Sequence, residues 1–196
     1  YKRQVYVVAP VEPATAGAAP HAGAEGESTP LKLTENECST IGTELVHALT
    51  RAIMGPAPEP ALWEVDANLR PEGKDGPLVR TVESYVQYYK RWAENWEFQA
   101  LLKARPIAGS AQLGARYARA IDPFVWESAA RESFVESVQA MRARVTDNIP
   151  SNQVDRQIKL GPGGLRDIEF TVQLLQLVHG RTDPAVRTKS TVCLLY

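Results

Sequence analysis

The sequence predicts an α+β chain in which a small part with short strands precedes an all-helical part. Three observations lead there. A β-branched and aromatic run, Val5-Tyr6-Val7-Val8, reads as a buried strand, and an alternating stretch from Ala61 to Asn68 reads as a second. Beyond them, apolar residues recur at three- and four-residue spacing almost to the end of the chain. The composition is that of an ordinary globular domain, with 44% hydrophobic and 23% charged residues.

Between the two strands, 13 of the 21 residues from Pro10 to Pro30 are Ala, Gly or Pro. Such a segment buries too little apolar surface to offset its ordering entropy, which predicts a flexible insertion remote from any site. A helix follows from Glu35 to Met54, with Ile41, Leu45, Leu49 and Ile53 as its apolar ladder and Gly55-Pro56 as its end. In the strand at 61–68, Leu62, Glu64, Asp66 and Asn68 share one face. Arg70 to Pro77 is a turn by composition. Helical spacing then links Tyr85, Tyr88, Tyr89, Trp92 and Trp96, and Phe98, Leu101 and Leu102 continue the series. A packing stripe is the expected role of these aromatics; base stacking would need a basic groove, and Lys90 and Arg91 are thin support for one. Helices at Ala111–Ile121 and Arg131–Asp147 follow, the second with Phe134, Val138, Met141 and Val145 in register. A domain boundary near residue 106 separates a partial α/β domain (1–105) from a helical one (106–196).

Several function classes are disfavoured. The net charge of −1 supports no general nucleic-acid surface. No apolar run is long enough for a membrane helix, and no basic, then apolar, opening resembles a secretory leader. Cys38 and Cys193 fit neither a metal spacing nor a disulfide framework, so a reducing cytoplasm is expected. His21, His47 and His179 stand singly and form no triad. Tyr1 in the first position and an end at Tyr196 read as a segment of a longer protein.

Two places could carry chemistry. Asp66 ends a strand on the face of Glu64, just before a turn with Arg70, Lys74 and two glycines. A carboxylate there can hold Mg²⁺, and the cations and glycine amides suit phosphate oxygens; the plainer reading is an exposed Asp opening a turn. The second place is Lys159-Leu160-Gly161-Pro162-Gly163-Gly164-Leu165-Arg166-Asp167-Ile168-Glu169-Phe170. Glycines opening a helix offer amide donors to an anion, although neither a Walker loop nor a dinucleotide fingerprint is present. On that helix Arg166, Glu169, Gln173 and Gln176 form a narrow polar face. Asp167 falls in an apolar sector, which predicts a central helix and a buried carboxylate that fixes the glycine loop by accepting its backbone N–H groups, with Gly163 and Gly164 as structural residues near the site; direct phosphate or metal work is the alternative.

Both places resemble one family. Val65 to Val79 is similar to its V-D-x-x-L-R-P-x-G-x-x-G-P-L-V signature, and Lys159 to Phe170 to its K-L-G-P-G-G-[IL]-R-[DE]-[IV]-E-F signature. Trp96 to Arg105 also resembles it. The family is glutamine synthetase adenylyltransferase, also called the adenylyl-removing enzyme, in its actinobacterial form. The resemblance implies a nucleotidyltransferase-like domain of the polymerase-β superfamily followed by a helical bundle. It implies ATP, ADP and phosphate as substrates, Mg²⁺ as cofactor, and glutamine synthetase as partner, in regulation of nitrogen assimilation. The Gly-Pro-Gly-Gly-Leu-Arg form is more like the amino-terminal half, which removes AMP by phosphorolysis. Asp66 then matches the third metal-binding carboxylate, and Arg70, Lys74, Lys103, Lys159 and Arg166 are candidates for phosphate or nucleotide contacts. The resemblance also calls for an Asp-x-Asp pair just before the first strand, where this chain has Tyr1 and Arg3. Weak or absent Mg²⁺ binding by this polypeptide is therefore expected. A rival reading is a non-catalytic helical module that binds glutamine synthetase or the PII signalling protein.

Overall fold

The computed structural model describes residues 2–3, 6–9, 33–55, 60–61 and 64–194. The expected flexible insertion at 10–30 lies outside them, as do Val5, Leu62 and Trp63. The elements run β1 (Lys2–Arg3), β2 (Tyr6–Val8), α1 (Glu35–Met54), β3 (Val65–Asp66), β4 (Val79–Thr81), α2 (Val82–Arg91), α3 (Asn95–Leu101), α4 (Ala111–Glu127), α5 (Phe134–Asp147) and α6 (Leu165–His179). Short 3₁₀ turns connect some of them. The chain is mostly helical with few strands, the α+β class the sequence predicts. It divides into two compact units, residues 1–84 and 85–196; the compositional division near 106 falls inside the second, between α3 and α4.

In the first unit two parallel pairs form, β1 with β3 and β2 with β4. Tyr6, Val7 and Val8 stand in register with Val79, Arg80 and Thr81. Helix α1 has the predicted bounds. Thr34 caps it by accepting the Glu37 N–H at 3.3 Å, while the Glu37 carboxylate accepts the Thr34 N–H at 2.7 Å. Its packing face differs from the expected one. Ile41, Leu45, Leu49 and Ile53 stand exposed, and Cys38, Gly42 and Val46 face the strands. This ladder of smaller side chains lets the helix backbone approach β2 and β4. Ser39 donates to the Val79 carbonyl at 3.3 Å, and the Thr81 hydroxyl donates to Glu35 at 2.5 Å. Of the strand expected over 61–68, the described residues show Val65–Asp66 as β3, which ends there because Asp66 Oδ1 accepts the Asn68 N–H at 2.9 Å and turns the chain.

The second unit is helical. Tyr85, Tyr88, Tyr89 and Phe98 are buried and mutually packed, Tyr85 edge-on to Tyr117 at 5.1 Å between centroids. The aromatic series is not one stripe, however. The helix breaks at Ala93–Glu94, and Trp92 is left 73% exposed. Helix α4 runs past the expected end at Ile121 to Glu127, with Pro123 inside it. Helix α5 begins at Phe134 rather than Arg131, because Ser133 adopts a left-handed conformation (φ 49°). The core joins Leu102, Val125, Phe134, Val138 and Leu177.

Helix α6 corrects the sequence reading most. Its polar face turns inward: Gln173 and Gln176 are buried, whereas Leu165, Ile168, Leu175 and Val178 are exposed. Bonding explains the inversion. Gln99 donates to Gln173 at 3.0 Å, and Gln176 donates to the carbonyls of Val186 (2.8 Å) and Thr188 (2.7 Å). Polar groups with such partners can be buried at little net cost.

Candidate functional site

Asp66 is 7% exposed at the end of β3, whereas Glu64, expected to share its face, is exposed outside the strand. The turn that follows is built by backbone conformation. Glu72 and Gly73 are both left-handed, with φ of 61° and 56°. Arg70 spends its guanidinium on this turn, donating to the carbonyls of Gly76 (3.1 Å), Ala67 (3.0 Å) and Lys74 (3.1 Å). Glu72 pairs with Arg80. The Lys74 side chain is exposed beside these groups.

A Mg²⁺ site is not assembled by the described residues. No group of three or more His, Cys, Asp or Glu stands together among them. The parallel register places Arg3 beside Asp66, the position where the sequence resemblance calls for an acidic residue. One carboxylate already accepting an amide N–H is a poor ligand set for a cation that demands octahedral oxygen coordination.

In the second unit the glycine loop is closed on itself. The Gly161 N–H donates to Gln157, Gly164 to Gly161, Leu165 to Ile158, Arg166 to Lys159 and Asp167 to Gly164, at 2.7 to 3.0 Å. The Gly163 N–H donates to Asp167 Oδ2 at 2.6 Å. Each of these amides therefore already has an acceptor, so the loop is not the open anion cradle its glycines suggest. The glycines serve closeness instead. A Cβ on Gly164 would lie 2.5 Å from the Ile158 carbonyl oxygen, and one on Gly161 2.7 Å from that of Gln157. Gly163 is needed for its φ of 73°.

Asp167 does meet the loop, but not as a carboxylate buried among apolar groups. Its side chain is about one-third exposed and pairs with Arg142 of α5, Nε to Oδ1 at 2.5 Å. The Arg142 hydrogen bond, with the Gly163 amide, holds the Asp167 carboxyl below the usual carboxylate range. Arg142 was not among the residues singled out from the sequence. Its signal is its place four residues after Val138, where a charge sits at core spacing.

The remaining candidates lie around Glu169. Lys103 approaches it at 3.3 Å and also donates to the Thr191 hydroxyl; Arg166 pairs with it at 3.0 Å; Gln173 donates to it at 3.3 Å. The Arg166 guanidinium also lies over the Phe170 ring. Lys159, by contrast, is exposed on the loop.

The family profile for glutamate-ammonia ligase adenylyltransferase matches residues 25–120, and that for GlnD PII-uridylyltransferase matches residues 135–193. Relatives described as bifunctional glutamine synthetase adenylyltransferase/adenylyl-removing enzyme include those of Leifsonia xyli, Streptomyces coelicolor and Bifidobacterium longum. The first is 64% identical over 79% of this chain and 15% of the relative. The second is 57% identical over 81% and 16%, and the third 59% over 78% and 14%. This chain belongs to the glutamine synthetase adenylyltransferase/adenylyl-removing family. It spans under one sixth of the length of those relatives. The adenylyltransferase profile covers Asp66, Arg70, Lys74 and Lys103, and the second profile covers Lys159, Arg166 and Asp167.

One buried titratable group in the family segment went unremarked in the sequence. Glu97 is buried, accepts the Tyr88 hydroxyl at 3.0 Å and the Glu94 N–H at 2.9 Å, and has its pKa raised chiefly by burial. A carboxyl raised in the folded state binds its proton more tightly there, so it costs stability as pH rises above its ordinary 4.5. Glu97→Gln keeps the accepting oxygen and removes that cost. Its thermal midpoint is expected to gain on wild type between pH 4 and pH 7. A difference independent of pH would show that Glu97 is not strained by ionisation.

Proposed function

We propose that this chain belongs to the half of the enzyme that removes AMP from a tyrosine of glutamine synthetase by phosphorolysis, and so takes part in regulating nitrogen assimilation. A polymerase-β-like nucleotidyltransferase domain, followed by a helical bundle, is the architecture that goes with this reading. The observation that carries it is Asp66, a buried carboxylate at a strand end beside a cation-bearing turn, in a segment whose relatives are named for both directions of the reaction.

A phosphate oxygen attacks the AMP phosphorus, the bond from phosphorus to the tyrosyl oxygen breaks, and the electron pair left on the phenolate takes up a proton. The products are ADP and free tyrosine hydroxyl. Charge neutralisation and positioning dominate such transfers. Lys74, an exposed cation on the turn after Asp66, is assigned as a phosphate ligand. Arg70 is assigned a secondary role, since it would give up its contacts to the turn carbonyls to reach phosphate. The described residues do not make a site for Mg²⁺. For the same reason the 196-residue chain by itself is expected not to release ADP.

A second reading is favoured by Arg3 standing in register with Asp66: a non-catalytic module that binds glutamine synthetase or PII. The test is incubation of the full-length family protein carrying this segment with adenylylated glutamine synthetase and phosphate. Release of ADP supports the enzymatic reading, and binding without release supports the module.

A further inference from the structure

Helix α6 is apolar on its outer side as well as toward the core. Inward it presents Phe170, Leu174 and the fully buried Leu177, with Gln173 and Gln176 bonded as described above. Outward, Leu165 (62% exposed), Ile168, Leu175 and Val178 stand bare, and only Thr171 interrupts them. Ile158 (78% exposed) extends the stripe, since its carbonyl accepts the Leu165 N–H at 3.0 Å and holds it at the helix start. From Leu165 to Val178 the stripe runs for about 20 Å. It carries no charge: Asp167 is engaged by Arg142, and Arg166 and Glu169 pair with each other. A helix with one face in water keeps charged residues on that face, whereas a helix apolar all round belongs inside a larger assembly.

The spacing indicates what covers it. Leu165, Ile168, Val172 and Leu175 follow one another at steps of three, four and three residues, and Val172, at the inner edge of the row, is already buried. Such a seam accepts a second α-helix lying nearly along it, with the side chains of the two interleaved. Three sources of that helix compete. A protein substrate that must leave after each turnover is usually met by a more polar surface, permanent contacts being the apolar ones. A second copy has to be recruited from solution, whereas a helix of the same polypeptide is present at an effective concentration in the millimolar range. The family supplies the polypeptide for it, because the matched stretch makes up only 14 to 16% of the length of the relatives described above.

We infer that the outer face of α6 is an intramolecular interface, covered in the full-length protein by a further α-helix from outside these 196 residues. The face is open in the 196-residue chain and closed in the full-length protein.

The experiment uses the full-length protein and two cysteine variants. Leu175→Cys, in the middle of the stripe, is treated with a maleimide, and modification of the peptide that contains position 175 is followed by mass spectrometry. The molecular mass of the same sample is read by light scattering. Labelling at least about a hundredfold slower than in the same protein unfolded in denaturant, at monomer mass, is the expected result. Ile158→Cys, at the edge of the stripe, is coupled to a benzophenone maleimide and irradiated. Its cross-link is expected to join a peptide of the same molecule from outside residues 1–196. Labelling of Leu175→Cys at the unfolded rate overturns the inference, as does protection that appears only when glutamine synthetase is added. Protection at dimer mass that disappears on dilution assigns the face to a second copy and overturns it too. So does a cross-link of Ile158→Cys confined to residues 1–196.

Discussion

Phe134→Ala is expected to destabilise the helical unit by about 3–5 kcal/mol, the usual cost of emptying a buried aromatic site. Phe134 is 2% exposed and packs with Leu102, Val125, Val138 and Leu177, so neighbouring side chains from α4, α5 and α6 would face the void. Against a total stability of about 5–15 kcal/mol for an ordinary domain, this is a large share. Leu175→Ala on the same unit removes a similar volume from a site 53% exposed and should change stability by about 0.5 kcal/mol or less. Thermal unfolding of the two variants side by side checks the orientation of α6. Equal losses would mean that its outer face is covered.

Asp167→Ala should cost about 1–3 kcal/mol, because it strands the Arg142 guanidinium, whose side chain is only 11% exposed, and the Gly163 N–H. Glu169→Ala should cost less, since Lys103 and Arg166 are each about one-third exposed and water can replace the carboxylate. The pH dependence has a definite sign. Arg142 lowers the Asp167 pKa, so the stabilisation is fully present above its ordinary 3.8 and is lost as pH falls through the lower folded value. The gap between wild type and Asp167→Ala should therefore be constant from pH 7 to about pH 4 and close below that. Melting temperatures that coincide at pH 7 would return Asp167 to the candidates for direct phosphate contact.

Helix α1 was legible because its apolar periodicity and Gly55-Pro56 are local signals. Which side faces the strands was not, since Cys38, Gly42 and Val46 carry less hydrophobic signal than the Ile and Leu ladder beside them. Strand β4 escaped notice because Val79–Thr81 is three residues long and pairs with Tyr6–Val8 far back in the chain. The inverted face of α6 depends on Gln99 and on the carbonyls of Val186 and Thr188, and no periodicity records such partners. The same holds at the candidate site. Asp66 and the glycine loop stand out as local patterns, whereas Arg142 acquires its role from a carboxylate on another helix.

The most direct measurement compares full-length protein with its Asp66→Asn variant for phosphate-dependent ADP release from adenylylated glutamine synthetase. Asn keeps an oxygen to accept the Asn68 N–H, so the turn should be preserved. Release is expected in the wild type and about a hundredfold less in Asp66→Asn, the usual worth of a positioned carboxylate that accepts a proton during transfer. Undiminished release in Asp66→Asn would contradict the placement of the catalytic centre at the end of β3.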